Sequence, residues 1–336
     1  MRYVIYGAGA IGGCIGARLF QAGQDIVLIA RGAHLEAIRR DGLRFRTPAE
    51  DVTLPITAVG HPSEIAWRDG DVALLTMKSQ DTAAALDALR AALRPGSGRT
   101  VDVPVVCAQN GVANERMALR RSSRVYGMLV VQPSVHLEPG VVMMHATTVG
   151  GVLDAGRYPS GVDAQIEGVC GDLTSAGFEA RPDANVMRLK YGKLIMNLGN
   201  AVQALCGPEA TAGEFIMKLR SEATACYEAA GIEAIPLPEL QARAAAITMG
   251  QIEGQSRWGG SSWQSLARGA GSIETDFING EIALLGRLHG VPTPCNETLQ
   301  RLANEAVRDG RQPGSRTVEE VVAEAKRLRE ATEVAP

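Results

Sequence analysis

The segment 191–200 carries a lysine and two asparagines among apolar residues. Lys193, Asn197 and Asn200 are spaced by four and then three positions, which on a continuous helix places them on one face. Because the intervening residues are mostly aliphatic, this face is expected to be buried or to line a cleft. Burial lowers the pKa of a lysine and suits its ammonium to proton transfer. The alternative is a lysine whose stem covers apolar surface while its charge reaches water.

A glycine-rich turn near the N-terminus predicts a phosphate site. The turn has the pattern GxGxxG and consists of Gly7, Ala8, Gly9, Ala10, Ile11 and Gly12. It follows an apolar run predicted as a strand and opens a predicted helix, the context in which this pattern binds a dinucleotide. The first glycine permits the tight turn, the second admits a pyrophosphate, and the third lets helix and strand pack closely. The helix N-terminus offers free N–H groups to the phosphates.

The residues after the next strands bear on which cofactor binds. A site that prefers NAD usually has an acidic residue after the second strand, whereas this chain has Arg31. A guanidinium can bind a 2′-phosphate through two hydrogen bonds, which favours NADP, although a solvated arginine is the alternative. Lys78 and Asn110 also follow predicted strands, at the sheet edge where ligands bind. Their positions alone do not decide the roles: Lys78 could be a solvated surface lysine, and Asn110 could belong to a simple Asn-Gly turn.

A third polar cluster lies between residues 259 and 276. Ser262 stands in a loop or helix start, and Glu274 stands in the first turn of a predicted helix that Ser272 can cap. Helix capping is a sufficient structural role for an acidic residue there. The functional alternative is a carboxylate that orients the ammonium of Lys193.

The elements that must position these residues form two predicted domains. Short runs that are apolar on both faces alternate with helices, which indicates a mostly parallel sheet covered on both sides. The strands are predicted at Arg2–Tyr6, Asp25–Ala30, Val72–Thr76, Val103–Cys107, Val125–Val131 and Val141–His145. This predicts an α/β class protein with a Rossmann-like doubly wound sheet domain at residues 1–182.

Residues 183–336 are predicted to form an all-helical substrate and catalytic domain. From about Asn185 onward Ala, Leu, Glu, Arg and Met dominate at helical spacing, and glycine or proline follows several helix ends. The predicted helices are Asn185–Cys206, Thr211–Gly231, Pro238–Gly250, Ser272–His289, Asn296–Asp309 and Thr317–Thr332.

Composition excludes several functional classes. The 336 residues carry 34 Lys and Arg against 37 Asp and Glu, a formal charge of -3, so no basic excess suggests a nucleic acid partner. No apolar run is long enough for a membrane helix, and the first strand begins too early for a signal peptide. The six cysteines lack metal-ligand spacing and are expected to be reduced and mostly buried. We expect a cytoplasmic protein with no metal site.

Taken in order, these motifs resemble the ketopantoate reductase (2-dehydropantoate 2-reductase) family. The resemblance runs from the N-terminus to about Leu302 and joins the glycine turn, the Gln109-Asn110-Gly111 step and the Lys193 helix to a C-terminal cluster. That cluster comprises Ser262, Glu274, Asp276, Asn279, Gly280 and the triplet Gly290-Val291-Pro292.

The resemblance implies NADPH-dependent reduction of ketopantoate to pantoate, a step of pantothenate biosynthesis. It implies that the glycine turn, Arg31, Lys78 and Asn110 bind NADP(H). Lys193 matches the family's proton donor, and Glu274 matches the acid near that lysine and the cofactor. Asn110, Lys193, Asn197 and Ser262 match its substrate contacts. The helical domains of this family often dimerise, which favours a homodimer.

Three departures from the family pattern concern the substrate. Tyr191-Gly192 replaces the usual Trp-Arg before the lysine. The second helix asparagine is expected where Ala201 stands, so Asn200 is a candidate replacement one step earlier. Trp263 brings an indole into the substrate loop. Alternatives are therefore a related ketone, hydroxy acid or imine reductase, or a non-catalytic NADP-sensing protein. A sensor would need only the cofactor residues.

Overall fold

The computed structural model describes residues 1–93, 102–255, 259–269 and 271–334. The chain forms two compact units. The first comprises Met1–Lys190 and Pro238–Ser256, and the second comprises Tyr191–Leu237 and Arg257–Pro336. The division thus falls near residue 190 rather than near 182. A segment that the sequence assigned to the helical domain belongs to the first unit.

The described residues form eleven strands and thirteen α-helices. The strands are β1 (Arg2–Tyr6), β2 (Asp25–Ile29), β3 (Leu43–Arg46), β4 (Asp51–Leu54), β5 (Thr57–Val59), β6 (Asp71–Leu75), β7 (Val105–Cys107), β8 (Val125–Met128), β9 (Ser134–Val135), β10 (Val141–Met144) and β11 (Ala155–Arg157). The helices are α1 (Ala10–Gln21), α2 (Gly32–Asp41), α3 (Thr82–Ala92), α4 (Asn114–Leu119), α5 (Ala164–Ser175), α6 (Val186–Asn197), α7 (Asn200–Cys206), α8 (Gly213–Ala230), α9 (Leu237–Ala244), α10 (Ser261–Ala267), α11 (Asn279–His289), α12 (Pro294–Arg308) and α13 (Val318–Val334). Short 3₁₀ helices occupy Pro62–Glu64, Ser79–Asp81 and Glu274–Phe277.

The predicted α/β class, with a Rossmann-like sheet and a helical domain, is confirmed. The main sheet has the order β11-β8-β7-β6-β1-β2-β5. All of its neighbours pair in parallel except β11, which runs antiparallel to β8. The strand order reverses between β1 and β6, and in open α/β sheets such a reversal forms the ligand crevice at the carboxyl ends of the strands.

Apolar side chains cover both faces of this sheet. In β6, Val72 and Leu74 join the core cluster that contains Ile15 of α1. The alternating residues Ala73 and Leu75 join a second cluster on the other face. Because successive side chains of a strand point to opposite faces, a strand buried on both sides is expected to be apolar along most of its length. The uninterrupted apolar runs therefore identified these strands correctly.

A smaller sheet has the order β4-β3-β10-β9. It contains β10, which the sequence predicts as a strand without indicating that it leaves the main sheet. The segment around α9 also belongs to the first compact unit. The guanidinium of Arg243 donates to both oxygens of Asp154 at 2.9 and 2.7 Å and to Glu179 at 3.0 Å. This bidentate contact and the hydrogen bond from the Thr147 N–H to Thr248 O, at 2.8 Å, explain why 238–256 departs from the predicted helical domain.

The second unit is built from helices, with α12 packed against α7, α8, α11 and α13. One predicted helix, Asn185–Cys206, is broken: α6 ends at Asn197, and α7 begins at Asn200. The buried amide of Asn279 stabilises the break, because its Nδ2 donates to the carbonyl of Leu198 at 3.1 Å and to Asn296 Oδ1 at 3.0 Å. Hydrogen bonding from a distant side chain was not visible in the local helical pattern.

No helix in the described ranges is long and apolar enough to cross a membrane. The six cysteines are free thiols, and all except Cys206 are buried.

Candidate active site

The glycine turn lies at the carboxyl end of β1, directly before α1. Gly7 has φ +111°, and a Cβ there would stand 2.6 Å from the backbone nitrogen of Met77. A Cβ at Gly12 would overlap Thr76 Oγ1 and the Gly7 carbonyl, whereas one at Gly9 would meet no atom within 4 Å. Gly7 and Gly12 are therefore required by the turn and its packing. Gly9 faces open space, so the protein backbone at this residue can approach a pyrophosphate closely.

The start of α1 is suited to an anion. Its N-cap is Gly9, no described side chain caps it, and its first turn has no acidic residue. The unpaired N–H groups and the positive end of the helix dipole are thus available to a phosphate. The residues present fit a dinucleotide cofactor.

His34 holds this turn, and no feature of the sequence indicated this role. The Gly140 N–H donates to His34 Nδ1 at 2.8 Å, and His34 Nε2 lies 2.7 Å from the Ala8 carbonyl. Because Nδ1 accepts, Nε2 carries the proton and donates to Ala8. His34 therefore fixes the middle of the glycine turn in its neutral form.

Arg31 and Lys78 both follow strands of the main sheet. Arg31 lies between β2 and α2, its side chain is 84% exposed, and its guanidinium is 3.1 Å from Asp81 Oδ2. Lys78 is the residue before the 3₁₀ helix that ends at Asp81. The structure thus places a second charged residue, Asp81, beside the arginine that was predicted to select the cofactor.

Asn110 lies beyond the carboxyl end of β7, joined to the Lys78 loop by a buried polar network. Asn114 Nδ2 donates to the Asn110 carbonyl and to Ser79 Oγ, both at 3.0 Å. Asn114 Oδ1 accepts from Thr82 at 2.8 Å, and Gln109 Nε2 donates to the same Thr82 hydroxyl at 2.7 Å. The Gln109-Asn110 step is therefore a fixed turn rather than an exposed Asn-Gly loop.

Lys190 lies against the same turn and is a residue that the sequence analysis missed. Its ammonium is 2.6 Å from Glu115 Oε1 and 2.9 Å from the Gln109 carbonyl. A second lysine among apolar residues, three positions before Lys193, was the available signal.

In the second unit, Lys193 and Asn197 are in direct contact. Lys193 Nζ donates to Asn197 Oδ1 at 3.1 Å, as the four-residue spacing predicts. The Lys193 side chain keeps some exposed area, yet burial lowers its pKa to about 8 because a less hydrated ammonium is disfavoured. At pH 7 the group is thus a protonated donor that loses its proton readily.

The break between α6 and α7 changes the position of Asn200. It begins α7 after a two-residue interruption, so Lys193, Asn197 and Asn200 are not three positions on one continuous helix face. Asn200 instead packs beside the loop before α10: the Gly260 N–H donates to Gln203 Oε1 at 3.2 Å, and a Cβ at Gly260 would stand 3.3 Å from Asn200 Oδ1. Ser262 follows two residues later in α10 and is buried.

Glu274 begins the 3₁₀ helix Glu274–Phe277 and is buried, with 8% of its area exposed. The predicted helix from Ser272 is divided, because Ile278 (φ −114°, ψ −82°) separates this 3₁₀ turn from α11. Ser272 does not cap it, since Ile273 occupies the N-cap position. A buried glutamate is costly to keep without a polar role.

Comparison with known sequences identifies the family. Residues 3–159 match the profile described as ketopantoate reductase PanE/ApbA, and residues 185–307 match the profile of its C-terminal domain. The chain belongs to the ketopantoate reductase family. It is thereby an oxidoreductase of the ketopantoate reductase type. The 2-dehydropantoate 2-reductase of Pyrococcus horikoshii is 28% identical over 316 residues, covering 92% of this chain and 99% of the relative.

Two solved structures have a fold similar to that of this chain. A PanE/ApbA family ketopantoate reductase from Ralstonia eutropha JMP134 has TM-score 0.76 and 27% identity, covering 92% of this chain and 99% of that one. D-mandelate dehydrogenase with NADH and anilino(oxo)acetate has TM-score 0.77 and 22% identity, with the same coverage. At that identity the second likeness shows the fold alone.

Proposed function

We propose that this protein reduces a 2-oxo acid with NADPH, converting 2-dehydropantoate to pantoate, with Lys193 as the proton donor. The observation that carries the proposal is the Lys193 ammonium, oriented by Asn197 at 3.1 Å and with its pKa lowered to about 8. Such a group is charged at neutral pH and is still a competent acid. Family membership supplies the reaction type.

The proposed chemistry divides between cofactor and protein. A bound NADPH supplies the hydride that the ketone carbon accepts. Lys193 Nζ gives a proton to the carbonyl oxygen, and the products are a 2-hydroxy acid and a neutral amine that regains its proton from water. A positive donor placed where the alkoxide charge develops also stabilises the transition state.

We assign the other residues supporting roles. Gly7 to Gly12 and Lys78 would hold the cofactor phosphates, and Asn110 would contact both nicotinamide and substrate. Asn197, Asn200 and Ser262 would donate hydrogen bonds to the substrate carboxylate and hydroxyl. Glu274 would keep the Lys193 ammonium charged and aimed. These roles follow the family resemblance, except that of Asn200, which stands one position before the family's second helix asparagine and is proposed as its replacement.

We further propose that NADPH is preferred over NADH. Arg31 after β2 supports this choice, since a guanidinium stabilises a 2′-phosphate. The related fold of D-mandelate dehydrogenase holds NADH, so the preference needs a direct test. We expect Arg31→Ala to weaken NADPH binding at least about tenfold and to leave NADH binding unchanged. Equal losses for both cofactors would contradict the assignment.

The main test measures NADPH consumption with 2-dehydropantoate and a panel of other 2-oxo acids, ketones and imines. We expect turnover with 2-dehydropantoate, loss of turnover in Lys193→Ala, and NADPH binding retained in that variant. Lys326→Ala is the matched control, because this lysine of α13 is 75% exposed. Turnover with another substrate alone would identify a different reductase. NADPH binding with no turnover across the panel would favour a sensor.

A further inference from the structure

Lys190 is a buried lysine that the proposed reaction does not use. It is 3% exposed, and its ammonium donates to three backbone carbonyls: Gln109 at 2.9 Å, Cys107 at 3.3 Å and Met128 at 3.3 Å. These carbonyls lie at and just beyond the carboxyl ends of the neighbouring parallel strands β7 and β8. The ammonium therefore joins two strand ends at the edge of the sheet where the cofactor is proposed to bind.

Glu115 is the counter-ion. Its carboxylate is fully buried and lies 2.6 Å from the Lys190 ammonium. Among the described residues no other hydrogen-bond partner is assigned to its oxygens, so Lys190 is the group that compensates its charge. Burying both ions costs desolvation energy that a purely structural apolar pair would avoid. That cost makes a role beyond stability worth testing.

The carbonyl of Gln109 and the N–H of Asn110 belong to one peptide group. Because a trans peptide is planar, the bond from Lys190 to this carbonyl directs the Asn110 N–H to the opposite side. The carbonyl of Asn110 is itself held by Asn114 Nδ2 at 3.0 Å and Ser79 Oγ at 3.4 Å. Both peptide planes that flank Asn110 are thus fixed, and with them the direction of its Cα–Cβ bond.

We propose that Lys190 is a positioning residue that fixes the peptide before Asn110 and so aims the Asn110 side chain. The inference rests on the proposed function in one respect, the assignment of Asn110 to the reacting groups. Among the described residues, the polar contacts of the Lys190 ammonium are with three backbone carbonyls and the Glu115 carboxylate.

The test uses the full-length double variant Lys190→Met/Glu115→Leu, which replaces the ion pair by apolar side chains and leaves no unpaired buried charge. Should it fail to fold, Lys190→Met/Glu115→Gln is the second variant. The matched control is Arg2→Met/Asp71→Asn, which removes another ion pair, at 2.6 Å and with Asp71 fully buried and Arg2 13% exposed, from the amino ends of β1 and β6 in the same sheet.

Hydrogen exchange of peptides covering 105–113 tests the inference without any substrate. We expect exchange about tenfold faster in the Lys190 variant than in the wild type and in the Arg2 control. Unchanged protection would overturn the proposal, whether or not the protein reduces a 2-oxo acid.

Turnover then tests the link to Asn110. We expect kcat to fall about 10- to 100-fold while the Kd for NADPH changes less than about threefold. In an Asn110→Ala background the Lys190 change should cause no further loss of kcat, because both act through the same side chain. If the Lys190 change lowers kcat by the same factor in the Asn110→Ala background as in the wild type, the role of Lys190 is merely structural and the proposal is overturned. Absence of turnover in the wild type would instead refute the proposed function.

Discussion

The guanidinium of Arg31 lies 3.1 Å from the carboxylate of Asp81, on the exposed carboxyl edge of the main sheet. The arginine is 84% exposed and the aspartate 37%, so the pair is a surface contact that water and salt weaken. A 2′-phosphate that approached Arg31 would compete with this carboxylate and be repelled by it. Asp81 would therefore oppose the NADPH preference that we propose from Arg31.

Replacing this aspartate should strengthen NADPH binding. We expect Asp81→Asn to lower the Kd for NADPH about two- to fivefold, the range of an exposed ion pair, and to leave the Kd for NADH unchanged. Fluorescence titration at low and high salt measures both constants, and the difference should shrink as salt rises. A weaker NADPH complex would show that Asp81 supports the site.

Gly9 and Gly12 should separate ligand binding from folding. Gly9→Ala meets no atom within 4 Å, so we expect the free energy of unfolding to change by less than about 0.5 kcal/mol and NADPH affinity to fall at least about tenfold. Gly12→Ala overlaps Thr76 and the Gly7 carbonyl and should cost about 1–3 kcal/mol of stability. Denaturant unfolding and cofactor titration test the pair. Equal NADPH affinity in Gly9→Ala and wild type would exclude close approach at this residue.

The pKa of Lys193 sets the expected pH dependence of turnover. Because burial lowers this pKa to about 8, the ammonium persists below pH 8 and is lost above it. As the proton donor is the charged form, kcat should be constant on the neutral side and fall tenfold per pH unit well above pH 8. A profile that stays level to pH 10 would remove Lys193 from this role.

Substitutions of Asn197 should shift the pH at which kcat begins to fall, which is the alkaline limb of the pH profile. Asn197→Asp would place a carboxylate where the amide oxygen now accepts from Lys193 at 3.1 Å. An opposite charge favours the ammonium, so the alkaline limb should rise by about one pH unit. Asn197→Ala should move it the other way, since the ammonium loses an acceptor. If the alkaline fall in kcat occurs at the same pH in both variants as in the wild type, it reflects the titration of a different group.

His34 should matter through both ring nitrogens. We expect His34→Ala to lower the free energy of unfolding by about 1–3 kcal/mol, because the Ala8 carbonyl and the Gly140 N–H both lose a partner. His34→Gln can donate and accept and should recover part of the loss in stability and NADPH affinity. Thermal unfolding with and without NADPH makes the comparison. If the glutamine variant is no better than alanine, the two hydrogen bonds are not what stabilises the turn.

Much of the first unit could be predicted because its signals are local. Strands buried on both faces are apolar along most of their length, and the glycine pattern is recognisable from its place between one strand and the next helix. The Lys193–Asn197 contact is likewise local, since four residues make one helical turn. These features depend on residues close together in the chain.

The features that were missed depend on residues far apart in the chain. Asn279 ends α6 from 81 residues away, and Arg243 joins its segment to Asp154 across 89 residues. The helical periodicity of a segment is the same whether or not a distant residue bonds to it. The periodicity therefore predicted one long helix at Asn185–Cys206 and placed α9 in the helical domain.

Short-range periodicity and turn geometry were enough to predict the Rossmann-like sheet, the helical second unit, the glycine turn and the pairing of Lys193 with Asn197. The break after α6, the unit that holds residues 238–256, and the contacts of Asp81 with Arg31 and of Lys190 with Glu115 became known only from the folded chain. Those contacts join segments that approach one another only after the chain has folded, and side-chain charge or amide chemistry alone does not specify its partner.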